Sequence, residues 1–406
     1  MAQNLDRLKD VVPDILSRLP VKSLRRFACV NKSWYNLIKS PDFISKHLHT
    51  FNNRKNSADP INLLVNRMRP ATFGTSGIHQ KAFVSLLSLN PINKNASLSL
   101  LDLIYNHNEV SHLEIFGPCN GLYYFHSDTN LIVNPSMREF IVLPNIPAPP
   151  DTNTYSLKHH TGFGFDPNTN DYKVIMIMDT WRRHETGRPI RLPWRIEIYS
   201  LNSHCWRNVD CTLPSVPIGS WSWIDAFVRG AFHWWAFEDK DCMVHAFDMQ
   251  NERFQTFRLP NVQSSDEDED EDYYGTVAKF RESLAVIIKP MRGAEDFFDL
   301  WVMEDYSDDA SWTKDSIIGP IVRANQPLAF LEEKNLFVVE DENKSTVFYD
   351  LQTKEIMHTE FHGEEALQAV VYMESLISLR RNNENPQAGA SFFRMVPDPL
   401  FEDNSG

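Results

Sequence analysis

Two pairs of residues are the candidates for catalytic or metal chemistry in this sequence. They are His159-His160 and His184-Glu185, whose side chains are of the kinds that bind zinc, but neither is accompanied by a second pair at ligand spacing. The chain contains no Gly-x-Ser-x-Gly, phosphate-binding loop, dinucleotide-binding glycine fingerprint or His-Glu-x-x-His. Its five cysteines are scattered and form no Cys-x-x-Cys, which argues against both a zinc site and a disulfide framework. We therefore expect no catalytic residue, no metal and no cofactor.

A second group of side chains has the chemistry of protein recognition. The segment Trp181–Arg195 holds five arginines, one glutamate and two tryptophans, and we expect a long basic loop on a β scaffold, where recognition residues are common. Trp221 and Trp223 alternate as in a strand, so one of them faces outward. The run Asp266–Asp272 contains seven acidic residues, which favours a solvated loop that either serves solubility alone or guides a basic partner. The candidate contacts for a protein substrate are Trp181, Arg182, Arg183, Arg188, Arg191, Trp221, Trp223, Asp268 and Asp270.

The charge of the chain is divided unevenly. The 406 residues carry a net charge of −14, yet residues 1–50 hold nine Lys or Arg and four Asp, a net of +5, so residues 51–406 carry −19. Two modules with different surfaces are expected. The acidic balance argues against nucleic acid as a partner, and the longest aliphatic run, Leu284–Ile288, is far too short to span a membrane. Scattered cysteines in odd number fit reduced thiols, and hence a location in the cytosol or the nucleus.

Residues 10–48 show the apolar spacing of amphipathic helices, as in Val11, Val12, Ile15, Leu16 and Leu19. Asp10 can cap the first helix, Pro20 stops it, and Ser40-Pro41-Asp42 supplies a break with a new cap. Three or four short helices are predicted. About forty residues bury too little apolar surface to be stable alone, so the module should lean on a partner or on the next domain.

Residues 60–380 read as short β segments separated by turn residues. A small polar residue ends one strand and, six positions later, an aromatic or aliphatic residue opens the next, which is typical of hairpins. Five such pairs and a sixth with one extra residue are Asn134 to Phe140, Asp166 to Tyr172, Ser200 to Trp206, Asp248 to Phe254, Asp350 to Ile356, and Asp305 to Trp312. Their intervals favour a mostly β domain built as an irregular six-bladed β-propeller, with an irregular pair of β-sandwiches as the alternative. Blade cores should contain Trp206, Trp234, Trp235, Trp301 and Trp312.

The helical module contains the segments Ile15-Leu16-Ser17-Arg18-Leu19-Pro20-Val21-Lys22-Ser23-Leu24, Arg26-Phe27, Cys29-Val30, Lys32-Ser33-Trp34 and Leu37-Ile38. These segments give it a resemblance to a plant F-box. It implies docking onto the Skp-family adaptor of an SCF complex, a ubiquitin ligase that also contains a cullin and a RING protein. The positions to which it assigns adaptor contact are Val12, Ile15, Leu16, Leu19, Pro20, Val30 and Trp34. Pro13, at a position normally aliphatic, and Arg7-Leu8-Lys9-Asp10, in place of the usual Leu-Pro opening, imply a weaker adaptor affinity. A purely structural helical cap is the alternative.

The β region contains the segments Phe116–Leu122, Asn134–Phe140, Gly162–Pro167 with Asp171–Val174, Glu197–Tyr199, Phe232–Trp235, and Leu300–Tyr306 with Ser311–Lys314. In these segments it is similar to the F-box-associated (kelch-like) domain of plant proteins. Within that family, Trp301–Tyr306, Ile318-Gly319-Pro320 and Pro327–Phe330 are most similar to the S-locus F-box proteins of pollen. That similarity implies a receptor for secreted pistil ribonucleases, the S-ribonucleases, during self-incompatibility.

Together these features divide the chain into four predicted regions: an F-box module in residues 1–50, a connecting region with the first strands in 51–110, a propeller-like domain in 111–385 and a flexible tail in 386–406. The resemblance implies a non-catalytic receptor that presents a protein substrate for ubiquitination and proteasomal degradation. One alternative is an F-box-associated protein that sequesters its partner without degrading it. Another is a glycan-processing propeller enzyme, which would need carboxylates such as Asp210, Asp225 or Asp299 clustered around a central channel.

Overall fold

A computed structural model describes residues 11–52, 59–71, 79–90, 96–102, 113–184, 187–214, 226–238, 241–260, 274–290, 296–362, 366–380 and 391–397. The chain divides into two compact units. The first, Met1–Val142 with Val371–Gly406, is called the terminal unit, and the second, Leu143–Val370, the central unit. No helix within the described ranges is both long and apolar enough to cross a membrane.

Four short helices open the terminal unit, as predicted. They are α1 (residues 11–16), α2 (Val21–Phe27), α3 (Lys32–Ile38) and α4 (Pro41–Asn52). The Asn31 side chain caps α3 by accepting a hydrogen bond from the Trp34 backbone N–H at 2.8 Å. The Ser40 hydroxyl accepts a bond from the Phe43 N–H at 3.3 Å, which confirms the predicted break and new cap before α4.

The helices share their core with the β part of the same unit. Leu16, Val21, Leu24, Ile38 and Phe43 are buried in one cluster with Met137 and Leu376. The backbone N–H of Val21 donates to the Glu374 carboxylate at 2.6 Å, and the Arg25 guanidinium donates to the Met137 carbonyl at 3.2 Å. The expectation that so small a module leans on the next domain is therefore confirmed.

The described strands of the terminal unit lie in two antiparallel sheets. In sheet I, β1, β2, β3 and β26 pair in that order, and sheet II has the order β25-β7-β6-β5-β4. Their bounds are β1 Ile61–Ala71, β2 His79–Leu89, β3 Ala96–Asp102, β4 Glu114–Cys119, β5 Leu122–His126, β6 Leu131–Asn134, β7 Glu139–Val142, β25 Ser391–Phe392 and β26 Arg394–Pro397.

The central unit contains four antiparallel four-stranded sheets, named III to VI. Sheet III consists of β8 Thr154–Asp166, β9 Asp171–Arg182, β10 Ile190–Ser200 and β11 Cys205–Asn208, and sheet IV of β12 Phe227–Val228, β13 Ala231–Glu238, β14 Asp241–Asp248 and β15 Arg253–Arg258. Sheet V consists of β16 Tyr274–Phe280, β17 Ser283–Lys289, β18 Phe298–Met303 and β19 Trp312–Ile318, and sheet VI of β20 Ala324–Leu331, β21 Leu336–Asp341, β22 Ser345–Asp350 and β23 Ile356–His362. A short 3-10 helix, Glu332–Lys334, precedes β21, and β24 Ala366–Val371 follows sheet VI. The described chain thus has the predicted six sheets, and the four of the central unit are each built from consecutive hairpins.

All six predicted turns connect paired strands. At Asp166, Asp248 and Asp350 the carboxylate accepts the N–H of the residue two positions on, as expected of turn aspartates, at 2.9, 2.8 and 2.7 Å. Four residues after each turn residue of the five regular hairpins, the backbone is left-handed, with φ of +57° at Arg138, +49° at Asn170, +56° at His204, +54° at Glu252 and +66° at Lys354. The shared backbone geometry explains why the spacing repeats although the residue types vary.

Tryptophans link successive sheets of the central unit. The indole N–H of Trp234 on β13 donates to the Thr161 carbonyl on β8 at 3.0 Å, and that of Trp312 on β19 donates to the Arg258 carbonyl of β15 at 2.8 Å. Trp235 is buried as well. The predicted core positions are confirmed for these three and for Trp206, whereas Trp301 is only partly buried.

One predicted boundary needs correction. Residues 391–397, expected in a flexible tail, form β25 and β26, whose backbones pair with β7 and β3. The first strands expected within residues 51–110 are present as β1, β2 and β3 of sheet I. The partners of β25 and β26 are far away in sequence, so local patterns could not reveal these two pairings.

Candidate functional sites

The helical module exposes a set of apolar side chains although it has a buried core. Of the residues predicted to contact an adaptor, Ile15 and Val30 are 57% and 65% exposed, and Pro20 is also exposed. Leu16, by contrast, is 3% exposed. Val12, Leu19 and Trp34 are half-buried and pack against the cluster that contains Leu16.

Leu16 is therefore a core residue. It lies next to Ile15 in α1, and successive residues of a helix point about 100° apart, so the two face different surroundings. Its contacts are with the module's own helices and with Met137 and Leu376. The structure leaves Leu16 almost no surface for a partner, whereas Ile15, which was also predicted to contact an adaptor, is exposed.

Two exposed apolar residues were missed. Val11 and Tyr35 are about half exposed. Val11 precedes Ile15 by four positions, which places both on one face of α1, and this spacing was a usable signal in the sequence. The docking set is defined here as Val11, Ile15, Pro20, Val30 and Tyr35. Exposed apolar side chains on short helices are suited to a helical groove on another protein.

A second candidate surface lies on sheet III. The strands β8, β9 and β10 have 13, 12 and 11 residues, whereas the other strands of the central unit have at most eight. The extra length of these strands, together with the described residues between β9 and β10, comprises residues 154–157, 179–184 and 187–194 and is called the ridge. The segment Trp181–Arg195, expected to be a long loop, is instead strand in residues 181–182 and 190–195, where Ile190 and Arg191 lie opposite Arg182 and Trp181.

The ridge contains the five described residues of the predicted substrate site. Arg191 donates to both carboxylate oxygens of Asp179, at 2.9 and 3.2 Å, and its guanidinium lies 5.6 Å from the Trp181 ring centroid. Arg182 pairs with Asp151 at 3.3 Å. Arg183 and Arg188 are exposed. The remaining predicted contacts, Trp221, Trp223, Asp268 and Asp270, lie outside the described residues.

Buried ionisable groups in the central unit are structural. The Lys173 ammonium donates to Asp166 at 2.8 Å, to the Met249 carbonyl at 2.8 Å and to Glu252 at 2.9 Å. Burial alone would raise the pKa of both carboxyl groups, but the hydrogen bonds from Lys173 and its neighbours outweigh it and lower the pKa of Asp166 and of Glu252. This network joins sheet III to the turn between β14 and β15. It gives Lys173, in the segment Asp171-Tyr172-Lys173-Val174 that carries the family resemblance, a structural role.

Histidines give no sign of catalysis in the described chain. Burial lowers the pKa of His233 and of His245 to about 4, so both are neutral at pH 7. His233 bonds to the Ala226 carbonyl at 2.8 Å and to the Tyr306 hydroxyl at 2.8 Å. Among the residues that the structure covers, no three His, Cys, Asp or Glu side chains are placed to hold a metal. Of the predicted metal pairs, His160 is half-buried, His184 is exposed, and Glu185 lies outside the described ranges.

Comparison with known proteins gives matches for both modules. A family model described as the F-box domain matches residues 9–46, and one described as the F-box associated beta propeller domain matches residues 72–383. The F-box protein CPR1 of Arabidopsis thaliana is 24% identical over 380 residues, which cover 86% of this chain and 82% of that protein. The F-box protein At3g20690 of the same plant is 27% identical over 376 residues, covering 87% and 88%. An oligogalacturonate lyase structure with manganese covers 76% of this chain and 89% of its own at 9% identity, but its TM-score of 0.39 is too low to inform function.

Proposed function

This chain belongs to the F-box proteins that carry an F-box associated beta propeller domain, and we propose that it is the substrate receptor of an SCF ubiquitin ligase. In this proposal the F-box binds the Skp-family adaptor, and the β domain holds a protein for ubiquitination and proteasomal degradation. The receptor contributes proximity and no catalytic group. Such a receptor would act in the cytosol or the nucleus.

One observation carries the proposal: neighbouring residues of α1 have opposite environments. Leu16 is in the core shared with Met137 and Leu376, while Ile15 is exposed. A helical cap with only a structural role needs the buried face alone. An exposed isoleucine beside that face favours binding of a second protein that covers it. Burying one such side chain contributes roughly 1.5–3 kcal/mol to the free energy of binding.

The test is an affinity pulldown of the full chain from plant lysate with mass spectrometry. The variants are Ile15→Asp in the docking set and Val322→Asp as the control. Val322 is also an exposed β-branched aliphatic residue, but it lies between β19 and β20, outside the helical module. Recovery of adaptor, cullin and RING protein by the wild type and by Val322→Asp, but not by Ile15→Asp, is expected. A truncation that removes the F-box is a poor control, since it would uncover Met137 and Leu376. Absence of the adaptor from all three samples would refute the proposal.

For the substrate, we propose a basic protein, with an S-ribonuclease as the candidate suggested by the resemblance to S-locus F-box proteins. The net charge of −14 supports this choice, because an acidic receptor attracts a basic partner over long range. The association rate measured by stopped flow should then fall steeply between low and physiological salt. A rate that does not change with salt would remove the electrostatic basis of this choice.

A receptor that sequesters its partner without degrading it remains the alternative, and the exposed docking set argues for the ligase. The two functions differ in one readout. Under the ligase proposal, the abundance of bound partners rises when the proteasome or the cullin is inhibited. Unchanged abundance with an intact adaptor complex would favour sequestration.

A further inference from the structure

The ridge places aromatic rings and arginines on one face. Tyr155 on β8 and Arg191 on β10 both lie opposite Trp181 on β9, and residues opposite each other in neighbouring strands share a face. The Arg191 guanidinium lies 5.6 Å from the Trp181 ring centroid and 5.0 Å from that of Trp194. The Arg183 guanidinium lies 5.8 Å from the Tyr155 ring centroid. These cation–π contacts hold the arginines over the rings, so the face is preorganised.

The arginines of the ridge divide into two kinds. Arg191 is neutralised by the two-oxygen contact with Asp179, and Arg182 is neutralised by Asp151. These two therefore stabilise the ridge and carry little net charge outward. Arg183 and Arg188 are exposed, and no carboxylate of the described chain lies within salt-bridge distance of either. Within the described residues, two positive charges are thus uncompensated, and the chain as a whole is strongly acidic.

A cleft lies beside these charges. Its volume is about 450 Å³, and it is lined by Tyr155, Arg183, His184, Gly187 and Pro189. Gly187 has a φ of +82°, and a Cβ added there would have no atom within 4 Å, so the space beside this residue is open. The exposed Leu157 follows Tyr155 by two positions on β8 and lies on the same face of the sheet. The cleft thus offers the Arg183 guanidinium, the Tyr155 ring and an apolar neighbour.

We propose that the ridge is a binding site for an acidic segment of a partner protein, in which a Glu or Asp side chain enters the cleft beside Arg183 and Arg188. A guanidinium fork matches a carboxylate in shape and charge. The inference rests on the proposed function in one respect, since the partner would be the protein that the ligase modifies. A partner that is basic overall would meet the ridge through a locally acidic segment.

Nucleic acid is a poorer match for the same charges. Binding to a phosphate backbone generally engages several cations along an extended path, and two uncompensated arginines on an acidic chain give little of this attraction. A carboxylate-bearing peptide needs only the local pair. An aromatic or aliphatic residue next to the acid would pack on Tyr155 and Leu157.

The test is selection from a displayed library of random 12-residue peptides on the full chain. We expect peptides enriched in Asp and Glu. Fluorescence anisotropy with one selected peptide should show binding that is at least tenfold weaker for the Arg183→Glu, Arg188→Glu double variant, the loss of about one charge-assisted hydrogen bond. The Arg253→Glu control changes an exposed arginine on β15 and should leave the affinity within twofold.

Three outcomes would overturn the inference: no enrichment of acidic residues, equal binding by the double variant, or a labelled 12-nucleotide single-stranded DNA that binds the ridge more tightly than the peptide. Adaptor binding is measured on the same samples. The double variant should retain adaptor binding. If the wild-type chain binds the adaptor but no acidic peptide, the ridge site is refuted and the ligase assignment stands.

Discussion

Removal of the Lys173 ammonium should be among the most damaging single changes in the central unit. The Lys173→Met variant keeps the length of the side chain but deletes the charge. Three contacts are lost at once, to Asp166, to the Met249 carbonyl and to Glu252. Lys173 and Asp166 are both buried, so water cannot readily replace the lost donor.

The magnitude follows from what remains after the change. Breaking a buried ion pair by removing one partner typically lowers the free energy of unfolding by about 3–5 kcal/mol. Here Glu252 keeps Arg207, and Asp166 keeps the hydroxyl of Thr169 at 2.7 Å and the N–H of Asn168 at 2.9 Å. We therefore expect the lower end, about 3 kcal/mol, which for a unit of this size corresponds to a fall in Tm of roughly 6–12 °C.

The assay is thermal unfolding of the full chain followed by near-ultraviolet circular dichroism, which reports the packed aromatic rings of the central unit. The matched control is Lys279→Met. The Lys279 ammonium lies 2.7 Å from the carboxylate of Glu282, which is largely exposed. An exposed pair contributes about 0–1 kcal/mol, so this control should shift Tm only slightly. Equal shifts for the two variants would refute the assignment of Lys173 as a buried structural link.

Two further changes test other parts of the same account. Burial lowers the folded-state pKa of His233 and of His245 to about 4, so below pH 6.5 the unfolded chain binds more protons than the folded chain. The free energy of unfolding should therefore have its full value above pH 6.5 and decrease towards pH 4, by up to about 3 kcal/mol per histidine. Thermal melts between pH 7 and pH 4.5 should show a smaller fall for His245→Gln, and parallel curves would contradict the mechanism. Gly275→Ala would place a Cβ 2.1 Å from the buried Trp235 ring and should destabilise the chain by about 3 kcal/mol, against about 1 kcal/mol for Gly187→Ala, which has a positive φ but no neighbour. Urea unfolding compares the two glycine variants, and an equal loss would show that the ring moves aside.

The hairpins were predictable because their signal is local. Asp166, Asp248 and Asp350 each bond within their own turn, so four or five consecutive residues determine the structure. The division of the chain into a helical and a mostly β part was readable for the same reason. Neither required knowledge of which distant segments meet.

The functional surfaces were less predictable because they depend on distant partners. Ile15 and Leu16 are both aliphatic and adjacent, and only the packing of α1 against Met137 and Leu376 decides which one is free. Likewise, Arg183 and Arg191 look alike in sequence, and only strand register places Asp179 beside Arg191. A single sequence contains no direct record of such long-range contacts.

The most direct measurement of the central claim is the affinity of the full chain for a purified Skp-family adaptor by isothermal titration calorimetry. The wild type should bind, and Ile15→Asp should bind at least tenfold more weakly with an unchanged Tm, because the lost burial is worth about 1.5–3 kcal/mol. Val322→Asp, at a side chain 70% exposed, should bind as the wild type does. A well-folded wild type without adaptor affinity, or an Ile15→Asp variant with full affinity, would contradict the assignment of the helical module as the docking element of a ligase receptor.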